Sequence, residues 1–228
     1  MGPMFVMLAL GIWVWRSEKR EKEHPSAASG PAPVRASKVD LSTLSPGDSV
    51  PEWSPSQGSF RMTTVNGRNV LELGFEPLVE GRLVWSRLLA NTGVVRARMW
   101  GERTRRNAPR FAVGLTASAS YWFRVIPLER TLQLVGKEEK VLASLPWEGS
   151  PEQPMWIELK FVPRQGAPGS RLEGRVWREG DPRPEAASLS TEVEETIGFA
   201  RVVVAGAPYA LKPILIDRLE AAVNEAMD

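Results

Sequence analysis

From Ser59 onward, apolar and polar positions alternate along the chain with a period of two, the spacing at which successive side chains leave opposite faces of a strand. The runs are "SFRMTTV", "RNVLELGF", "TGVVRARMW", "PRFAVGLTA", "SYWFRVI", "RTLQLVG", "MWIELKFV", "RLEGRVW", "IGFARVVVAG" and "PILIDRLEA". Each is bounded by Gly, Pro, Asn, Asp or Ser, residues that turn a chain. The sharpest boundary is "VNGR", where Asn66 and Gly67 supply the two positive-φ positions of a type I′ hairpin. So many short strands, with neither heptads nor a long amphipathic helix, predict an all-β, two-sheet antiparallel sandwich.

The same alternation orients particular residues. In "RLEGRVWREGDPRPE", Arg171 to Glu185, it sets Arg175 outward and Val176 inward, and the strand then leaves through a charged loop punctuated by proline. Tyr121 and Trp122 are adjacent, so they point to opposite faces of their sheet.

The chain before Lys38 breaks the pattern. Gly2 to Trp15 is uncharged and almost wholly apolar, and "RSEKREKEH" follows at once. As a helix this run spans roughly 21 Å, short of the ~30 Å hydrocarbon core. No basic residue precedes it, and the small-residue stretch "PSAAS" lies too far beyond it for ordinary signal cleavage. These features predict a retained membrane anchor over residues 1–15, with Phe5, Leu8 and Ile12 in lipid and Trp13 and Trp15 at the interface. Residues 16–37, charged and then rich in Pro, Ala and Ser, predict a linker. The sandwich then occupies residues 38–222, and residues 223–228 form a tail. Arg16, Lys19, Arg20 and Lys22 follow the apolar run, which by the positive-inside rule places the body of the protein in the cytoplasm.

Composition narrows the chemistry. At 43% hydrophobic and 25% charged, the chain can bury a substantial core. Lys and Arg number 29 against 27 Asp and Glu, which offers no polyanion-binding surface and argues against nucleic acid as a partner. The chain has no cysteine, and its single histidine, His24, precedes the sandwich. Disulfides, a thiolate or histidine metal site and a Ser-His-Asp triad are thereby excluded from the sandwich, and neither a metal nor a cofactor is expected.

The succession "VDLSTLSPGDSVPEWSPSQGSFRM", "NGRNVLEL", "RMWGERTRRNAPRFAVGL", "YWFRVIPLERTLQLV", "MWIELKFV", "RLEGRVWREGDPRPE", "ILIDRLEAA" resembles the concanavalin-A-like jelly rolls of the laminin-G and glucanase type. It is most similar to bacterial versions related to the family-16 glucanases and keto-disaccharide-hydrolase-like domains. The resemblance runs from Val39 to Ala222 and implies a jelly roll in which "GRVWREGDPRPE" is a back-sheet strand leaving through a rim loop. It also implies an exported domain, periplasmic or extracellular, against the orientation that the basic residues suggest.

Glycosidases of that family carry an E-x-D-x-x-E strand, whose alternate carboxylates share one cleft about 5 Å apart. The motif is absent here. The nearest acidic cluster, "TEVEET", sets Glu192 and Glu194 on one face without the central Asp, and reads as a solvated edge; no catalysis is expected. Asp217 falls where jelly rolls often carry an acidic residue on the closing strand, but one carboxylate supplies too few of the roughly 6 to 8 oxygens that calcium takes.

Aromatic side chains and one basic loop remain. Most of the tryptophans belong to the core, whereas Trp147, between Pro146 and Pro151 in "SLPWEGSPEQP", is the best candidate for an exposed ring. "GERTRRNAPR" places Arg103, Arg105, Arg106 and Arg110 in one loop, a set of forked donors suited to carboxylates, phosphates or lipid headgroups. Two functions fit these features. The first is a non-catalytic, membrane-anchored accessory subunit docking on a larger membrane complex, such as a respiratory or photosynthetic assembly, through the arginines and Trp147. The second is a surface-tethered carbohydrate-binding module.

Overall fold

The computed structural model describes residues 35–76, 78–90, 92–117 and 119–223. The apolar segment carrying Phe5, Leu8, Ile12, Trp13 and Trp15 lies outside the described residues, as does His24. Along the described chain run β1 (Arg35–Asp40), β2 (Trp53–Gln57), β3 (Phe60–Val65), β4 (Arg68–Leu73), β5 (Gly81–Ala90), β6 (Gly93–Gly101), β7 (Arg110–Thr116) and β8 (Ser120–Ile126). They continue with β9 (Thr131–Val135), β10 (Val141–Pro146), β11 (Met155–Pro163), β12 (Ser170–Arg178), β13 (Leu189–Val193), β14 (Phe199–Ala207) and β15 (Ile214–Val223). Two short 3-10 turns, Leu41–Thr43 and Lys137–Glu139, are the only helical elements among the described residues.

These strands form two antiparallel sheets. The eight-stranded sheet runs β13-β12-β11-β6-β15-β4-β3, with β1 also pairing β15; the seven-stranded sheet runs β10-β9-β8-β7-β14-β5-β2. The Asn66-Gly67 turn joins β3 to β4 as its residue types require: Val65 pairs with Arg68, and the two turn residues have φ of 51° and 76°. β1 opens at Arg35, inside the segment read as linker, because residues 35–40 pair in register with Arg218–Val223. That pairing, closed by an ion pair between Asp40 and Arg218, supplies what the composition of "RASKVD" does not.

One hydrophobic core lies between the sheets. Val95, Ala97 and Met99 of β6 and Ile157, Leu159 and Phe161 of β11 meet Phe111, Val113 and Leu115 of β7 and Phe123 of β8. Phe123 lies so close to the backbone of β12 that a Cβ on Gly174 would sit 2.3 Å from its ring. Tyr121 and Trp122 divide as adjacent strand residues must: Tyr121 joins this core, and Trp122 joins a small outer cluster with Ala112, Val135, Val203 and Ala205.

Burial first, and then the neighbouring Glu195 carboxylate, push the Tyr121 phenol up to about 12. An unfolded tyrosine titrates near 10. Between about pH 10 and 12 the unfolded chain therefore gives up this proton while the folded chain keeps it, and stability falls as pH rises; below about pH 10 the group has no effect. Urea midpoints measured across that window should decline more steeply in the native protein than in Tyr121→Phe. Equal slopes would place Tyr121 in water.

Candidate functional site

The outer face of the eight-stranded sheet carries charge and indole rings where a solvated sheet face would carry scattered polar residues. Register places Arg98, Trp156 and Trp177 side by side across β6, β11 and β12, and one row along it places Arg96, Glu158 and Arg175. In the first row Trp156 and Trp177 stack at 5.8 Å and 14°, while the guanidiniums of Arg96 and Arg98 lie 5.3 and 5.6 Å from the Trp156 ring. In the second row Glu158 is wholly buried (0% exposed). It accepts from Arg175 Nη1 at 3.2 Å and from Arg183 Nε and Nη2 at 2.8 and 2.6 Å, and Arg96 Nη1 lies 3.9 Å away.

Arg183 reaches Glu158 from "REGDPRPEAAS", the segment that follows β12. Its course is fixed at several points. Gly180, with φ of 89°, lets Asp181 N donate to Arg178 O at 3.2 Å. Arg175 Nη2 donates to Glu185 O at 3.1 Å, and Val176 N to Ser188 Oγ at 3.3 Å. The loop is thus folded back over the sheet and held by Arg183, partly exposed, on the wholly buried Glu158. "GRVWREGDPRPE" is a strand and its exit loop, as the resemblance implies, but Trp177 shares the outward face with Arg175 and the loop is a built wall.

The facing wall is the segment after β10. Trp147 N donates to Arg130 O at 2.8 Å, Pro151 O accepts from Gly101 N at 2.8 Å, and Pro154 O accepts from Glu179 N at 3.0 Å. Trp147 is half-buried against the edge of the core. Its ring packs closely against Gly149, where an added Cβ would meet it at 2.1 Å.

Between the walls is a cleft of about 810 Å³, within the ~300–1,000 Å³ range of small-molecule sites. Leu132, Leu145, Met155 and Val176 form its apolar floor, and Trp147 and Trp177 line its sides. Glu148, Gln153, Arg178, Asp181 and Ser188 furnish hydrogen-bonding groups around it. Because Trp147 is seated on a glycine, Gly149→Ala should displace the ring and weaken ligand binding in the cleft while the sandwich stays folded. Unchanged near-ultraviolet circular dichroism of the tryptophans would show that the ring had not moved.

The remaining sequence-predicted residues lie elsewhere. Arg103, Arg105 and Arg106 are exposed on the β6–β7 loop and make no ion pair among the described residues. Arg110 is separate from them: it begins β7, pairs with Glu80 at 2.7 Å and lies 5.5 Å from the Tyr209 ring. Both oxygens of Asp217, 1% exposed, are taken by Arg98 at 2.7 Å, and Oδ2 also accepts from Arg68 at 3.0 Å. Glu192 lies on edge strand β13 in an exposed pair with Arg164 at 2.9 Å, and Glu194 is exposed beyond it. Sequence reasoning missed Glu158, Arg96 and Arg183 as a unit, although the Glu in "MWIELKFV" stands opposite the Arg of "VVRARMW" and of "GRVWRE".

No family model matches the sequence, and no curated protein matches it. Solved structures do match. The winged bean acidic lectin complexed with methyl-α-D-galactose superposes with a TM-score of 0.57 at 10% identity, over 83% of this chain and 98% of that one. An endo-1,3-β-glucanase from Streptomyces sioyaensis gives 0.56 at 10% identity, over 88% and 100%. The carbohydrate recognition domain of Emp47p gives 0.54 at 11% identity, over 80% and 92%. At such identities the likeness is one of architecture, and the architecture it establishes is the concanavalin-A-like jelly roll.

Proposed function

We propose that this chain is a non-catalytic carbohydrate-binding module and that the cleft between Trp147 and Trp177 holds the sugar. The observation that carries this reading is the half-buried Trp147 ring, packed against Gly149, set across from the small exposed part of the buried Trp177 ring, with polar groups around an apolar floor. A pyranose offers apolar C–H faces and a hydroxyl edge, and a fixed indole beside hydrogen-bonding side chains answers both. The matched winged bean lectin is in complex with methyl-α-D-galactose and the matched Emp47p domain is a carbohydrate recognition domain, which supports the same ligand class here. These likenesses lend nothing to an accessory role in a membrane complex.

The two carboxylates that line the cleft, Glu148 and Asp181, come from its two facing walls and not from one strand of the E-x-D-x-x-E kind, which favours binding without turnover. Glu158 and Asp217 are occupied by guanidiniums, and Glu192 and Glu194 lie on an exposed edge outside the cleft. An array of neutral and charged glycans, probed with the full chain in mild detergent, tests the proposal. Retention on at least one glycan class is expected, with no reducing sugar released from that glycan. Failure to retain any glycan would remove the proposal, and release of reducing sugar would remove its non-catalytic half.

A further inference from the structure

Two loops meet at the end of the sandwich where β6 stops and β15 begins. Ile214 pairs with Gly101, so the β6–β7 loop (residues 102–109) and the β14–β15 loop (residues 208–213) leave the sheets side by side. Lys212 Nζ lies 3.9 Å from Glu102 on one side of this junction, and Arg110 lies over the Tyr209 ring on the other. The first loop presents Arg103, Arg105 and Arg106 to solvent without counter-ions among the described residues. The second presents Leu211, 56% exposed, and Tyr209, 45% exposed. Leu211 does so from a left-handed backbone, φ 54°, a conformation that a branched residue adopts only under constraint from its surroundings.

We propose that this end of the sandwich docks on an anionic lipid surface, Leu211 and Tyr209 entering the interfacial layer and Arg103, Arg105, Arg106 and Lys212 meeting the headgroups. A solvated loop would explain the arginines but not the bare leucine beside them. An acidic protein surface would pair the arginines but gives the leucine and tyrosine no evident partner. Lipid answers both: phosphates accept from guanidiniums, an aliphatic side chain enters the acyl boundary, and tyrosine has its amphipathic preference for the interface. The charged end lies on the same chain as the apolar run Gly2 to Trp15, and a second contact would restrict how the tethered sandwich is presented. The proposal does not depend on the sugar site.

Because the chain has no cysteine, a nitroxide can be placed on single introduced thiols. Full-length Leu211→Cys is labelled and bound to vesicles of phosphatidylcholine with or without phosphatidylglycerol, and the label's accessibility to oxygen and to a water-soluble nickel complex is read. Gln165→Cys, on the β11–β12 turn at the opposite end, serves as reference. All variants carry the same N-terminal segment, so differences report on the loops. With phosphatidylglycerol, the Leu211 label should favour oxygen and be shielded from nickel while the Gln165 label stays aqueous. That shielding should disappear without phosphatidylglycerol and when Arg103, Arg105 and Arg106 are replaced by Ser, with glycan retention unchanged. A Leu211 label as aqueous as that at Gln165 would overturn the proposal, as would equal immersion in uncharged vesicles. A label that stays aqueous on vesicles but is immobilised by polyglutamate would overturn it in favour of an acidic protein partner.

Discussion

Glu158→Ala is expected to lower the unfolding free energy by about 3–5 kcal/mol, the range for removing one partner of a buried ion pair. The carboxylate has no solvent contact and satisfies Arg175 and Arg183, with Arg96 close by. Arg175 and Arg96 are themselves buried. Alanine would leave Arg175 with Glu173 at 3.0 Å and Arg96 with Glu220 at 2.7 Å, so part of the charge stays compensated. The loss comes from the vacated buried site and the bonds that Arg175 and Arg183 made there; for a domain of ordinary stability, about 5–15 kcal/mol, that is still a large fraction. Glu158→Gln keeps the shape and part of the hydrogen bonding, so its loss should be smaller. The exposed Glu192→Ala should change stability by no more than about 0.5 kcal/mol. Urea unfolding of the three variants checks the order. A Glu158→Ala midpoint matching that of Glu192→Ala would mean that Glu173 and Glu220 suffice for Arg175 and Arg96 and that the 179–188 loop is not held by this carboxylate.

The second large effect is on binding. Trp147→Ala should weaken the glycan retained on the array at least about thirtyfold, corresponding to the ~2 kcal/mol of a hot-spot aromatic. The indole is the principal apolar surface on its wall, and Gly149 behind it holds it at one angle, so little ordering is needed when the sugar arrives. Trp147→Phe should fall between the two, since a smaller ring keeps the platform and loses area. Calorimetric titration of the three proteins reads this directly. Equal affinities would move the ligand off this wall.

The strands that the sequence announced each turn one face to the main core, and β7, β8, β9 and β14 also carry residues of the outer cluster. β3, β4, β6, β7, β8, β9, β11, β12, β14 and β15 all read as alternation because one side of each meets the core. β2, β10 and β13 are sheet edges with little apolar alternation, unlike the edge strand β3: after its first residue, Trp53, β2 is exposed, and it contains Pro55, a residue tolerated at edges. β1 was hidden in polar composition and exists through its pairing with β15. β5 was hidden for the opposite reason. Leu83 and Trp85 enter the main core while Val84 packs against the outer cluster, so both faces are apolar and no alternation shows.

The candidate site was half visible. Trp147 was picked out by its position between prolines, and the "GDPRPE" loop by its composition, but nothing in either segment says that they face each other. That juxtaposition comes from hydrogen bonds between segments distant in sequence, Glu179 N to Pro154 O and Gly101 N to Pro151 O. Glu158 was missed because a charged residue on an outward position reads as solvated. It is buried only because Arg183 arrives from the loop that folds over it. Arg110 was grouped with its neighbours by sequence distance, whereas the start of β7 aims it at Glu80.

The central claim, that the cleft between Trp147 and Trp177 takes sugar, is tested most directly by fluorine NMR of protein carrying 5-fluorotryptophan at its nine tryptophans, with each resonance assigned by substitution. Titration with the retained glycan should shift the Trp147 and Trp177 signals along one saturation curve and leave Trp53 and Trp85, stacked in the core, where they were. Saturable shifts at Trp100 or Trp122 with Trp147 and Trp177 unmoved would contradict the account and place the ligand on another face of the sandwich.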